Sequence, residues 1–589
     1  MNRTVLLLVS LAASTLCAPG QGIDPLAPSA VNPKPVPRQD APAVIMGQPK
    51  SPRLPGGDQA MNPDNPTLTI KGIIFVKSLA EVQTAGVSGP AGVVVRDIPV
   101  LGRPDFKEMI QKQFLGKLVT DNLIRDLTDA IILYCRARGK LLVDAFLPVQ
   151  SIESGVLQLV VLEGKIGQVT VKNDGRKWFK DKFILDNVHL RPGESLDSNR
   201  LNRDLNWLNN NPFRQVDVSF KPATNLGATD VQLQVEDRIP VRPYVGYENS
   251  GTRFTGEDRL LAGVNWGNAF WLDHQLNYQY STDTDFNLVR AHSASYVAPL
   301  PWRHTLTLYG SYVDAKARFT GTGTSAQGTS WQTSARYAIP LPEISKYRHE
   351  ISAGFDFKRS NNNLEAGGTT VLQASDTDIA QVEAGYSGAL ADPWGRTSAG
   401  LEFYYSPGGL TANNHNSNFE LLRTGSRADY FYARLNAERV TRLPADFSWV
   451  INAWAQYANE RLLPSEELAL GGYSTIRGYD ERVLLGDNAW IISNELRSPA
   501  LLLGNLLDSP GGRDEIQVLA FLDYGGVRLD NVVAADGNNP NKTLCSTGLG
   551  FRYTVSKNLS FRFDYGFPLT ERALNQYRSR AHIGLLLSL

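Results

Sequence analysis

The stretch FRFDYGF, residues 561–567, sends Phe561, Phe563 and Tyr565 to one side of an extended chain and Arg562, Asp564 and Gly566 to the other. Period two of this kind marks a β-strand that meets apolar surroundings on one face only. The same alternation recurs upstream. In FSWVINAWAQY, residues 447–457, Phe447, Trp449, Ile451 and Tyr457 stand opposite Ser448, Asn452 and Gln456. In IQVLAFLDYG, residues 516–525, Asp523 falls opposite Val518, Ala520 and Leu522. RSRAHIGLLLSL, residues 578–589, sets Ala581, Ile583, Leu585, Leu587 and Leu589 against Arg578, Arg580, His582 and Ser588.

From Asp237 onward no helical periodicity interrupts these segments. Residues 239–589 divide among sixteen strands at roughly twenty-two residues each, room for a tilted membrane strand of ~9–11 residues and its connection. The sixteen expected strands begin near Arg242 and end with one near Arg580; others begin near Trp271, Trp331 and Ser546. Aromatic residues at expected strand ends, among them Trp266, Phe270, Trp271, Trp302, Trp331, Trp394 and Trp490, suit the two interfaces of a bilayer. The fold class is therefore a membrane β-barrel of sixteen antiparallel strands. Closure disposes of the sheet edges that a soluble sandwich of this size would have to protect.

The rest of the chain agrees with export from the cytoplasm. MNRTVLLLVSLAASTLCAPG places Arg3 before an apolar run, Val5 to Leu16, and a small residue at Ala18, so residues 1–18 read as a signal peptide. Residues 19–66 hold 12 prolines in 48 positions and read as an extended linker. Lysine plus arginine equals aspartate plus glutamate, 59 against 59, which gives no field favouring nucleic acid. Cys17, Cys135 and Cys545 are too few for a disulfide scaffold. The seven histidines show no metal-ligand spacing, and no nucleophile accompanies His274 or His292; no cofactor, metal or enzymatic activity is expected.

Between linker and barrel lie two small α+β units, residues 67–163 and 164–238. The first reads as a strand at Leu68–Val76, helices over 106–116 and 121–139 with Leu123, Leu127, Ile131 and Tyr134 on one stripe, and two strands. The second repeats that order, with a helix carrying Leu201, Leu205 and Leu208 that Pro212 should end, and a strand in which Val231, Leu233 and Val235 alternate with Gln232, Gln234 and Glu236. Such units serve as spacers, or offer a sheet edge to an unfolded partner.

One loop, about residues 459–488, has the wrong composition for a surface loop. It contains LALGGYSTIRGYDERVLLGD, residues 468–487. Gly471, Gly472 and Gly478 allow a tight fold-back. Arg477 is expensive in apolar surroundings without an acceptor. Asp523, on the lumen face of its strand, is the expected partner in a bidentate pair that holds the loop inside the pore.

Here the sequence resembles the transporters of bacterial two-partner secretion, the TpsB family of haemolysin and filamentous haemagglutinin exporters within the outer-membrane assembly barrels. The family's V/I-R-G-F/Y loop motif is matched by Ile476, Arg477, Gly478 and Tyr479, and its barrel-wall motif F-x-D-x-G by Phe521, Asp523 and Gly525. The resemblance implies two periplasmic POTRA domains, at 67–163 and 164–238, and a sixteen-stranded barrel in the outer membrane with the loop folded inward. It further implies translocation, without ATP, of one large unfolded TpsA-like exoprotein recruited by the POTRA domains. The implied surroundings are outer-membrane lipids, lipopolysaccharide and, during biogenesis, the barrel-assembly machinery; the protein is expected to act as a monomer. Residues 19–66 carry no amphipathic helix like the one that plugs the barrel in that family, so any plug here is short or irregular. An assembly factor for other barrels is the alternative, although its relatives usually carry three or five POTRA domains; a substrate-gated channel would need neither these domains nor this loop.

Overall fold

The computed structural model describes Lys34 and residues 68–589, apart from residues 90, 141, 174, 224–227, 319–324, 345, 362–375, 505–513 and 534–540. The expected signal peptide and the linker other than Lys34 lie outside the described residues. The described chain divides into two units, one of residues 68–238 and one in which Lys34 joins the barrel residues 239–589.

In the first unit, β1 (Gly72–Val76), β2 (Gly92–Val95), α1 (Pro104–Phe114), α2 (Asp121–Arg136), β3 (Val143–Phe146) and β4 (Val156–Glu163) make one layer of sheet and one of helix. The sheet order is β2-β1-β4-β3, with β1 parallel to both neighbours. Sequence reading missed β2, because four consecutive apolar or small residues carry no period. Pro104 suits the first turn of α1, where its missing N–H would be unpaired anyway. Thr120 caps α2 through a 3.1 Å bond from the Leu123 amide. Leu127 and Ile131 then pack with Phe75, Phe106, Ile110 and Leu157 in a closed core. Thr120→Ala should lower the stability of this domain by about 1 kcal/mol, measurable as an earlier local unfolding step in denaturant. Cys135 sits in the same core, and burial pushes its thiol up to about 11. A maleimide at pH 7.5 should therefore leave Cys135 unmodified until denaturant is added.

The second domain comprises β5 (Lys165–Asn173), α3 (Asp181–Asp186), α4 (Ser198–Leu208), β6 (Arg214–Pro222) and β7 (Ala228–Asp237), with sheet order β5-β7-β6. Leu201, Leu205 and Leu208 pack on Val216, Val218, Val231, Leu233 and Val235, the stripe and the alternation expected from sequence. The helix stops four residues before Pro212. Asn209 takes over there, since its side-chain amide exchanges two hydrogen bonds with the backbone of Val216, at 2.7 and 3.0 Å.

The barrel strands run from β8 (Val241–Glu248) to β26 (Arg580–Ser588), and β26 pairs with β8 to close the sheet. In chain order they include β9 (Arg259–Ala269), β10 (His274–Thr282), β14 (Tyr347–Ser360), β15 (Thr377–Asp392), β16 (Gly395–Pro407), β17 (Asp429–Arg442) and β18 (Ser448–Ala458). After the inward loop come β21 (Asn488–Arg497), β22 (Leu501–Gly504), β23 (Asp514–Arg528), β24 (Asn541–Val555) and β25 (Leu559–Pro568). Both β21 and β22 pair with β23, one residue out of step across Ser498–Ala500. They are one strand broken by a bulge at Pro499, which cannot donate to the ladder. So counted, the barrel has sixteen strands, all antiparallel.

Strand starts agree closely with the sequence reading at most places. The expected starts at Trp331 and Ser546 fall inside strands that begin at Ser325 and Asn541, and the one at Trp271 precedes β10 by a turn. The region is also not free of helix, since α5 (Asn416–Leu422) lies between β16 and β17. The alternation resolves into two faces. Leu549, Phe567, Val518 and Leu435 are exposed on the outside, Leu549 by 63%, a surface costly in water at ~25 cal/mol per Å² and satisfied by lipid. Gln279, Asp356, Glu383, Asp523, Asp564 and His582 are buried on the inside.

Candidate functional site

Between β18 and β21 the chain turns into the barrel. Its stem is a short antiparallel pair, β19 (Leu468–Leu470) and β20 (Leu484–Gly486). Its tip needs glycine at two consecutive positions. Gly471 and Gly472 have φ of +102° and +109°; a Cβ on Gly471 would lie 2.6 Å from the Asp480 carbonyl, and one on Gly472 2.2 Å from the Glu481 carboxyl. The turn closes through bonds from the Gly472 amide to Ile476 O, 3.0 Å, and from the Arg482 amide to Gly471 O, 3.2 Å.

Arg477 stands at the end of this hairpin, 2% exposed, and all its donor groups are used. Nε and Nη2 donate to the two oxygens of Asp523 at 2.7 and 2.8 Å, the bidentate pair expected from sequence, and the Arg477 amide adds a third bond to Asp523 at 3.0 Å. Nη2 also donates to Ser493 Oγ at 3.1 Å and Nη1 to Glu495 at 2.6 Å. The guanidinium carbon lies 3.7 Å from the centroid of the Phe521 ring, a cation–π contact. Burial alone would lower the Arg477 pKa; Asp523, Glu495 and Asp564 outweigh it and hold the group above the ordinary arginine range.

The other residues singled out in the sequence converge on the same place. Ile476 is fully buried among Leu470, Ile491, Val527 and Leu544. Gly525 makes room for it, since a Cβ there would lie 2.9 Å from Ile476 Cδ1. The Gly478 amide donates to His582 Nε2 at 2.9 Å, so that nitrogen carries no proton. Tyr479 Oη donates to the carbonyls of Cys545, at 2.9 Å, and Thr570. The three motif residues Phe521, Asp523 and Gly525 thus have three roles: a ring under the cation, an anion beside it, and a gap for its neighbour.

Several partners escaped the sequence reading. Glu495 and Ser493 come from β21, Asp564 and Gly566 from β25, His582 from β26. Their lumen-facing parity is legible in the alternation, and Asp564 and Gly566 do stand on the polar side of FRFDYGF. That they meet one arginine depends on the order and stagger of strands around the barrel. Asp564 itself receives Arg562 at 2.6 Å and Arg552 at 2.8 Å, so four arginines, counting Arg497, share three carboxylates here.

The base of the loop is held on another part of the wall. Glu466 is fully buried and accepts from Lys358 on β14 at 2.8 Å, Gln381 on β15 at 3.3 Å and Tyr432 on β17 at 2.7 Å. Arg423, just beyond α5, joins both legs, contacting Glu467 at 2.9 Å and Asp487 at 2.6 Å. Burial pushes the hairpin carboxyls Glu467 and Glu481 up to about 8, against the lowering effect of Arg423 beside Glu467 and of Arg580 and Arg482 near Glu481. Among the described residues no group of His, Cys, Asp and Glu has the arrangement of a metal site.

Comparison with known proteins places this geometry. Residues 227–553 match the model of the haemolysin secretion/activation protein ShlB/FhaC/HecB family, and residues 91–164 match the ShlB-type POTRA domain. The heme/hemopexin transporter protein HuxB of Haemophilus influenzae is 24% identical over 446 residues, 72% of this chain and 76% of that protein. The outer membrane transporter CdiB of Dickeya dadantii is 25% identical over 438 residues, 72% of this chain and 74% of its own length. The solved structure of CdiB from Escherichia coli superposes with a TM-score of 0.63 at 18% identity, covering 93% of this chain and 94% of the other. With more than half its length matched by one family model, the chain belongs to the ShlB/FhaC/HecB family of haemolysin secretion and activation proteins, barrels of the bacterial outer membrane with periplasmic POTRA domains.

Proposed function

We propose that this protein translocates a large unfolded exoprotein from the periplasm through its barrel to the cell surface, and that the Arg477 hairpin is the element that commits the barrel to this task. The observation that carries the reading is the hairpin itself. A barrel that only conducts small solutes has no use for a thirteen-residue tip, Gly471–Val483, locked by a guanidinium to β21, the strand it leads into, and to that strand's neighbour β23. The lumen wall is polar and hydrogen-bonded, which lets an extended chain slide past without burying unpaired amides. The reading needs no ATP, since the partner's folding outside would hinder its return.

Residues 67–163 and 164–238 are, in this proposal, the two docking domains. Deleting residues 67–163 should cut secretion of the partner by about tenfold or more, the loss expected when over 1.4 kcal/mol of recruitment energy disappears. The deleted protein should still migrate as a heat-modifiable barrel in outer-membrane fractions. Secretion at the wild-type level would reduce the first domain to a spacer. The reading as a whole is tested by coexpression with a large signal-bearing candidate partner in a heterologous host: the partner should reach the medium or surface only when this protein is present.

A further inference from the structure

Ahead of the two small domains, the structure describes one residue, and it lies within the barrel. Lys34 has every polar group occupied by side chains of the lumen wall. Its amide donates to Tyr244 Oη at 3.0 Å and Gln279 Oε1 at 3.2 Å; its carbonyl accepts from Asn265 Nδ2 at 3.0 Å; its ammonium pairs with Glu248. Tyr244 and Glu248 come from β8, Asn265 from β9 and Gln279 from β10.

Each of the four receptor side chains is held in place by a neighbour on the lumen wall. Tyr244 Oη donates to Gln279 Oε1 at 3.0 Å, and Gln279 Nε2 to Ser281 at 3.1 Å. Arg242 donates to Asn265 Oδ1 at 3.2 Å, which turns the Asn265 NH2 toward Asn277, at 2.9 Å, and the Lys34 carbonyl. Ser250 donates to Glu248 Oε2 at 3.3 Å. Glu248 is 5% exposed, and a carboxylate so buried strongly prefers a cation. The sequence around the occupant suits such a site. Pro33 and Pro35 have no N–H, so Lys34 brings the only amide donor of the tripeptide, and a residue before proline is confined to extended backbone.

We infer that this patch of β8–β10 is a receptor for a single lysine in an extended peptide, reading one main-chain amide, one carbonyl and one ammonium. Its resident ligand is Lys34; its second ligand class, which rests on the transport reading, is any extended lysine-bearing segment of the chain in transit. Because the contacts are to groups every extended lysine presents, the patch would hold such a residue whatever its neighbours.

Current through the full-length protein in a planar bilayer tests this without any secretion assay, so it can fail or succeed independently of the transport reading. The probes are the peptide VNPKPVP, residues 31–37, and its counterpart with alanine for the lysine. The channel carries Lys34→Ala, which vacates the ammonium position. The lysine peptide should block at a concentration about tenfold or more below that of the alanine peptide. Adding Glu248→Gln should abolish the difference between peptides, whereas adding Tyr244→Phe should weaken both alike, because Tyr244 reads main chain. The wild-type channel should need more peptide, since Lys34 competes. Equal block by both peptides, no block by either, or discrimination that survives Glu248→Gln would overturn the inference.

Discussion

Arg477→Ala is expected to abolish secretion of the partner while the barrel still inserts and remains heat-modifiable. The substitution removes the bonds to Asp523, Ser493 and Glu495 and the contact with Phe521. Glu495 keeps Arg497, and Asp564 keeps Arg552 and Arg562. Asp523 is the carboxylate left without a cation, retaining Ser493 and the residue 477 amide. Stranding one buried charge costs about 3–5 kcal/mol, enough to undock the hairpin tip. The strand ladders do not depend on it, so the barrel persists. Arg477→Lys should rescue only in part, because one ammonium cannot span Asp523 and Glu495 as the planar fork does. Asp523→Asn combined with Arg477→Ala should cost less than the sum of the two, the signature of a coupled pair. Secretion of the partner by Arg477→Ala at the wild-type level would remove the hairpin from the transport mechanism.

Gly566→Ala should also impair secretion, through sterics alone. The tip approaches β25 so closely that a Cβ at Gly566 would lie 2.6 Å from both N and Cα of Gly478 and 2.9 Å from the Arg477 carbonyl carbon. All three are backbone atoms, and none can rotate aside. Relief to ordinary carbon contact requires the tip to move by about 1 Å. That shift would stretch the Gly478–His582 bond, 2.9 Å, and the Arg477–Asp523 bond, 2.7 Å, past useful hydrogen-bond length. Overpacking of this sort costs about 1–3 kcal/mol. Gly310→Ala is the control, because a Cβ there meets nothing nearer than the Gln332 carbonyl at 3.7 Å. The assay is secretion together with protease sensitivity of the loop in intact cells. Wild-type behaviour of Gly566→Ala in both would show that the tip is not seated against β25 during transport.

What could be read ahead of the structure follows from how local each signal is. The lumen and lipid faces of β18, β23, β25 and β26 were legible because alternate side chains in a strand must point opposite ways whatever surrounds them. The Arg477–Asp523 pair was legible because a buried guanidinium demands a carboxylate and Asp523 stood on the right face. The four-residue β2 and the helix α5 were not, since each is too short to show a period. The true end of α4 was missed because Asn209, and not Pro212, leaves the helix there, its side chain tied to the Val216 backbone of β6.

Taken alone, then, the amino-acid sequence determined strand number, which residues face lipid, and the charge that the inward loop must find. Those properties depend on a residue and its near neighbours, through pleat geometry and the cost of burying an ion. Only the tertiary structure decided that Glu495, Asp564, Gly566 and His582 meet the tip, that Glu466 and Arg423 hold its base, and that Lys34 sits among Tyr244, Glu248, Asn265 and Gln279. These contacts join residues up to 245 positions apart, and the closure and register of the whole sheet, which no local pattern encodes, bring them together.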